Sequence, residues 1–118
     1  MLAAAMALSG VAQAAPTIGT KADAKCLAEA AKTVEQPGFN PADYTFHGGT
    51  EGPDDFSLTG TEGQPDVFCG FGGQDIGDDL EAGDIFLGGG GNDIVAFNNG
   101  TVYGEEGSDL VGTNSGTF

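Results

Sequence analysis

The chain has no arginine, no tryptophan, one histidine, two cysteines and only three lysines among 118 residues. Each shortage closes off a class of function. Binding to nucleic acid rests on basic side chains that neutralise phosphates, and Lys21, Lys25 and Lys32 all precede Gln36, so no nucleic-acid partner is expected. With His47 as the sole histidine and no zinc-type spacing, there is no catalytic constellation to assemble, and the chain is not expected to be an enzyme. Glycine clusters occur, but no Gly-Lys-Ser/Thr follows them, which excludes a phosphate loop. No Asp-x-Asp-x-Asp-Gly run with a trailing Glu is present, which excludes an EF-hand. No stretch reaches the roughly 20 apolar residues that a membrane-spanning helix needs. Eight Phe and two Tyr are a thin supply for an ordinary globular core.

What is abundant is acid and glycine. Asp and Glu number 18, the net charge is −15, and Gly occurs 22 times. From Phe39 to the end there are 15 acidic residues and no Lys or Arg. A compact domain of that charge repels itself strongly unless cations bind it. A disordered acidic tail is the plain alternative, and the periodicity described below argues against it.

The first residues read as an export signal. Met1 to Val11 is apolar, and Ala12-Gln13-Ala14 is a small-residue cleavage site, so residues 1–14 are set apart and the mature protein is expected to be secreted or periplasmic. In an oxidising compartment Cys26 and Cys69 suit a single disulfide better than a metal site, which would lack further ligands. On a chain-entropy argument that bond would stabilise the fold by roughly 4 kcal/mol. Thr20 to Gln36 reads as a helix: Thr20 caps it, Asp23 stands at the capping-box distance, and Leu27, Ala30, Ala31 and Val34 share one face. Pro37-Gly38 ends it, and a connector with a short strand at Tyr44-Thr45-Phe46 leads to Gly48. Residues 15–48 are thus expected to cap a repeat domain spanning 49–118.

That domain alternates glycine-rich turns with short apolar strands. Four turns fit Gly-x-x-Gly-x-Asp: Gly49-Thr-Glu-Gly52-Pro-Asp54, Gly70-Phe-Gly-Gly73-Gln-Asp75, Gly88-Gly-Gly-Gly91-Asn-Asp93 and Gly104-Glu-Glu-Gly107-Ser-Asp109. Their aspartates are 21, 18 and 16 residues apart. Weaker turns lie between them, at Gly60 to Asp66, Asp79 to Asp84, Phe97 to Gly100 and Gly112 to Gly116. The strands have an apolar middle residue, and alternation across a strand sends that residue inward. The expected core is Phe56, Phe68, Phe86, Val95, Val102, Val111 and Phe118, with Gly77 an unfilled position.

These turns resemble the nonapeptide Gly-Gly-x-Gly-x-Asp-x-U-x of the RTX (haemolysin-type) calcium-binding repeat family, where U is a large apolar residue. Gly88-Gly89-Gly90-Gly91-Asn92-Asp93-Ile94-Val95-Ala96 satisfies every fixed position, and the resemblance covers about 70 residues. It implies a calcium-dependent parallel β-roll of three to four coils, each taking about two repeats. All four good turns then fall on one edge and all the degenerate turns on the other. The residues implied to hold Ca2+ are Gly49, Gly52 and Asp54; Gly70, Gly72, Gly73 and Asp75; Gly88, Gly90, Gly91 and Asp93; and Gly104, Glu106, Gly107 and Asp109. Stacked turns would form up to three sites, with Asp66 and Asp84 a further candidate pair on the weak edge. Calcium takes six to eight oxygen ligands, which turn carbonyls and aspartates supply. The side chains of Glu105, Glu106, Asp78, Asp79 and Glu81 have no phase and read as solvated surface.

The expected function is an exported calcium-binding module, largely unfolded without the ion because charge repulsion outweighs a small core. Two other readings stand beside it. One is a repeat segment of a larger secreted enzyme or adhesin. The other is a surface- or ice-binding solenoid with a Thr/Asn ladder, for which Thr101 and Thr117 are in register.

Overall fold

The computed structural model describes residues 19–34, 36–56 and 64–118. The expected export signal and the residues Ser57 and Gly60 lie outside them. Helix α1 spans Lys21–Thr33, shorter at its end than the sequence pattern suggests. Thr20 caps it: the Thr20 hydroxyl accepts from Asp23 N–H at 3.1 Å, and the Asp23 carboxylate accepts from Thr20 N–H at 3.0 Å. Such a reciprocal cap contributes about 1 kcal/mol. A single 3-10 turn, Pro41–Asp43, leads into the strands.

Seven strands follow among the described residues: β1 Thr45–Gly48, β2 Asp66–Cys69, β3 Ile76–Leu80, β4 Ile85–Leu87, β5 Ile94–Asn98, β6 Thr101–Tyr103 and β7 Leu110–Asn114. Every pairing among them is parallel. One sheet has the order β1-β2-β4-β6 and the other β3-β5-β7. The chain therefore alternates between two sheets and advances one strand per coil, which makes a β-solenoid of about four turns. A bridge from Asp55 to Ile76 extends the second sheet by one layer, and a bridge from Thr101 to Thr117 extends the first.

Register explains the core. On the first sheet His47, Phe68, Phe86 and Val102 form one inward column. On the second, Gly77, Val95 and Val111 are in register. Phe56, Phe68, Leu80, Phe86, Val95 and Val102 are buried together between the sheets, with Val111 packed against them. Gly77 is no void: a Cβ there would meet the Phe86 ring at 3.2 Å, so that ring occupies the space. Leu80 joins the core unexpectedly, from a strand that its acidic residues Asp78 and Asp79 disguise. Phe118 does not join it; the residue is 57% exposed.

A second apolar layer forms outside the first sheet. Residues flanking the inward column face the opposite way, and Val67, Cys69, Ile85 and Leu87 are buried with Phe46, Cys26 and Ala30. Helix α1 thus lies on the outer face of the solenoid wall rather than capping the end of a coil. The physical reason is pattern: β2 and β4 are apolar at all their buried flanking positions, so their outer face needs cover as well. Cys26 and Cys69 are joined by a disulfide across this layer, Cα to Cα 5.5 Å.

Candidate metal centre

The four Gly-x-x-Gly-x-Asp turns all carry the chain from the first sheet to the second and stack along one edge. The degenerate turns Asp79 to Asp84, Phe97 to Gly100 and Gly112 to Gly116 return it along the other. Within the glycine-rich edge three turns share one backbone form. Positions two and four have positive φ in each: Phe71 at 69° and Gly73 at 86°, Gly89 at 82° and Gly91 at 99°, Glu105 at 70° and Gly107 at 107°. This left-handed conformation suits glycine best, and stacking reinforces the need at position four. A Cβ on Gly91 would collide with Gly73 O, and one on Gly107 with Gly91 O.

The aspartates form a ladder. Asp54 N–H donates to Asp75 Oδ1, Asp75 N–H to Asp93 Oδ1, and Asp93 N–H to Asp109 Oδ1, each at 2.9 Å. Each carboxylate is thereby tied to the preceding layer. The second oxygen behaves differently. Asp75 is fully buried and Asp93 only 2% exposed, yet Asp75 Oδ2 and Asp93 Oδ2 have no hydrogen-bond partner. Each lies beside the first glycine of its own turn, where a Cβ would also meet a carbonyl of the next turn: Gly88 O at 2.7 Å from Gly70, and Gly104 O at 2.8 Å from Gly88. A buried carboxylate oxygen without a donor is costly unless it takes up a proton or a cation.

The electrostatics record that cost. Burial, with the charges of Asp93 and Asp54 adding to it, pushes the Asp75 carboxyl up to about 7 against the bond from Asp54 N–H. Burial, with the charge of Asp109, pushes Asp93 up to about 6.

The first turn differs. Asp54 Oδ2 accepts from Thr50 N–H at 2.7 Å, and Thr50 Oγ1 is 3.1 Å from Asp54 Oδ1. Neither Thr50 nor Gly52 takes the left-handed form. Gly49, Gly52 and Asp54 are therefore closed upon themselves, and the layer between Asp54 and Asp75 lacks the geometry of the two layers above it. Gly72, Gly90 and Glu106 occupy the third position of the three equivalent turns, and Gly90 N–H and Glu106 N–H bond the turns below, to Phe71 O at 2.6 Å and Gly89 O at 3.0 Å.

On the weak edge Asp66 and Asp84 are stacked, Asp66 N–H donating to Asp84 Oδ1 at 2.9 Å, but both Asp84 oxygens have donors and Asp66 Oδ1 has a partner. Asp84 Oδ2 accepts from Glu81 N–H, and Asp66 Oδ1 lies against His47 Nε2, both at 2.9 Å. Higher up, Asn98 Nδ2 donates to Asn114 Oδ1 at 2.8 Å, and Gly100 N–H to Asn98 Oδ1 at 2.9 Å. This edge is closed by amides and an imidazole. His47 has no evident partner in the sequence, because Asp66 is 19 residues away and meets it only through strand register.

Among the described residues, no three His, Cys, Asp or Glu side chains converge as a metal cluster. A cation on the glycine-rich edge would rest on one or two carboxylates and on backbone carbonyls, a donor set made of oxygen alone and so of the kind hard cations take. No protein-family model, curated protein or solved structure matches the chain.

Proposed function

We propose that this chain is an extracytoplasmic calcium-binding β-roll whose coils fold as the turns of the glycine-rich edge take up the ion. The observation that carries the reading is the pair of buried carboxylate oxygens without partners, Asp75 Oδ2 and Asp93 Oδ2, each set beside a carbonyl of the next turn. Asp75, Asp93 and Asp109 would hold the ion together with carbonyls such as Gly88 O and Gly104 O. Two layers have this geometry, Asp75 with Asp93 and Asp93 with Asp109, so two ions are expected. The net charge of −15 favours cation uptake in general. The oxygen-only donors favour calcium over softer metals.

Ion binding to the folded chain alone would draw the unfolded population into the roll. Calcium titrated into the chelator-stripped chain, followed by calorimetry and circular dichroism together, tests this. Uptake of two ions with a cooperative gain of β signal supports it. No uptake at millimolar calcium would sink it.

A further inference from the structure

Helix α1 touches the glycine-rich edge at its lower layers through four separate contacts. Asp23 Oδ1 accepts from Gly48 N–H at 2.8 Å, at the residue before turn 49–54. The helix backbone approaches so closely there that a Cβ on Gly48 would collide with Ala22 O. Lys25 Nζ pairs with Glu51 at 3.1 Å within that turn and sits 4.4 Å above the Phe71 ring in turn 70–75. Cys26 bonds Cys69, the residue before Gly70. At turn 104–109 the helix offers no such hold. There the acidic Glu29 of the helix faces the acidic Glu105, whose carboxylate accepts instead from Gly89 N–H at 3.2 Å.

Phe71 is the non-glycine residue that turn 70–75 holds in the left-handed form, a conformation that a side chain resists. The disulfide fixes one end of this turn, and the cation above its ring fixes the strained residue. We propose that α1 is a positioning clamp for the lower ion site, so that the Cys26–Cys69 bond sets the calcium affinity of turns 70–75 and 88–93 and makes it responsive to reduction. A dithiol supplies the two electrons and two protons that convert the bond to two thiols, and is itself oxidised to a disulfide. The opened clamp leaves turn 70–75 to be ordered at the cost of ion binding. The inference rests on the calcium reading above.

The test separates the two layers. In Asp109→Asn only the lower site keeps both aspartates; in Asp75→Asn only the upper one does. Calcium affinity is measured calorimetrically for each, with the disulfide intact, reduced by a dithiol, and replaced in Cys26→Ala/Cys69→Ala. Opening the bond is expected to weaken the lower site roughly tenfold or more, as loss of a native cross-link implies, and the upper site by less than about threefold. Lys25→Gln, which leaves the disulfide in place, is expected to weaken the lower site alone and more mildly. An equal shift at both sites would show that the helix stabilises the fold without positioning a turn, and would overturn the inference, as would no shift at either. Absence of calcium uptake by the oxidised parent chain would overturn the calcium reading itself.

Discussion

Replacing Asp93 by asparagine separates the cost of burying this carboxylate from its use. Asp93 Oδ1 accepts from Asp75 N–H at 2.9 Å, while Oδ2 is buried without a partner on the side from which Gly104 O approaches Gly88. Asparagine keeps the first bond and places an N–H2 where the orphan oxygen was. The Asp93 carboxyl stands at about 6 against an ordinary 3.8, a displacement worth on the order of 3 kcal/mol at neutral pH. Asp93→Asn should therefore stabilise the chain in chelator by up to ~3 kcal/mol. In calcium the sign reverses, because both layers lose a shared anionic ligand and half-saturation should rise roughly tenfold or more. The assay is urea unfolding followed by circular dichroism, in chelator and in millimolar calcium. Asp84→Asn is the contrast: burial raises that carboxyl too, but both Asp84 oxygens accept backbone N–H groups, so a donor placed there breaks a bond and offsets any gain by about 1–3 kcal/mol in either condition. Destabilisation by Asp93→Asn in chelator, or an unchanged calcium midpoint, would refute the reasoning.

Acid should partly substitute for the ion. Burial pushes the Asp75 and Asp93 carboxyls up to about 7 and about 6 in the fold against 3.8 otherwise, so from 3.8 up to those values the folded chain holds more protons than the unfolded one. The ion-free roll is then stabilised at low pH and loses that stability as pH rises through about 6 to about 7; more β signal in chelator at about pH 8 than at about pH 5 would contradict this. Gly91→Ala should abolish or severely weaken the roll, since its φ is +99° and the new Cβ would strike Gly73 O. Gly38→Ala has a similar φ of +79° but open space, so it should cost only about 1 kcal/mol in a thermal melt. Phe86→Ala should cost about 3–5 kcal/mol, as its ring fills the interior over Gly77, whereas Phe118→Ala should stay within about 0.5 kcal/mol. Chemical denaturation in saturating calcium distinguishes those two.

Much of this arrangement is legible in the residues. Turn phase alone separates the two edges, because two strands per coil force alternate turns onto opposite sides. The inward column follows from period-2 alternation, and the helix start from Thr20 and Asp23. What escapes the sequence depends on packing in three dimensions. Strand β3 is hidden by Asp78, Asp79 and the core glycine Gly77, whose missing side chain is supplied by Phe86 from the opposite sheet. The place of α1 escapes because a rule that reads only middle residues ignores the apolar flanks Val67, Ile85 and Leu87. The first turn matches the motif as well as the others do, yet Thr50 closes it locally. A threonine beside the first glycine is the signal that distinguishes it. The His47–Asp66 contact is set by the register of β1 on β2, which no local pattern encodes.

On the proposed reading, ions enter on one edge, between the equivalent turns. Crystals grown with calcium replaced by terbium would locate the ions directly by anomalous scattering. Two peaks on the glycine-rich edge are predicted, one between Asp75 and Asp93 and one between Asp93 and Asp109. Peaks confined to Asp66 and Asp84, or no ordered ion at saturating terbium, would contradict it.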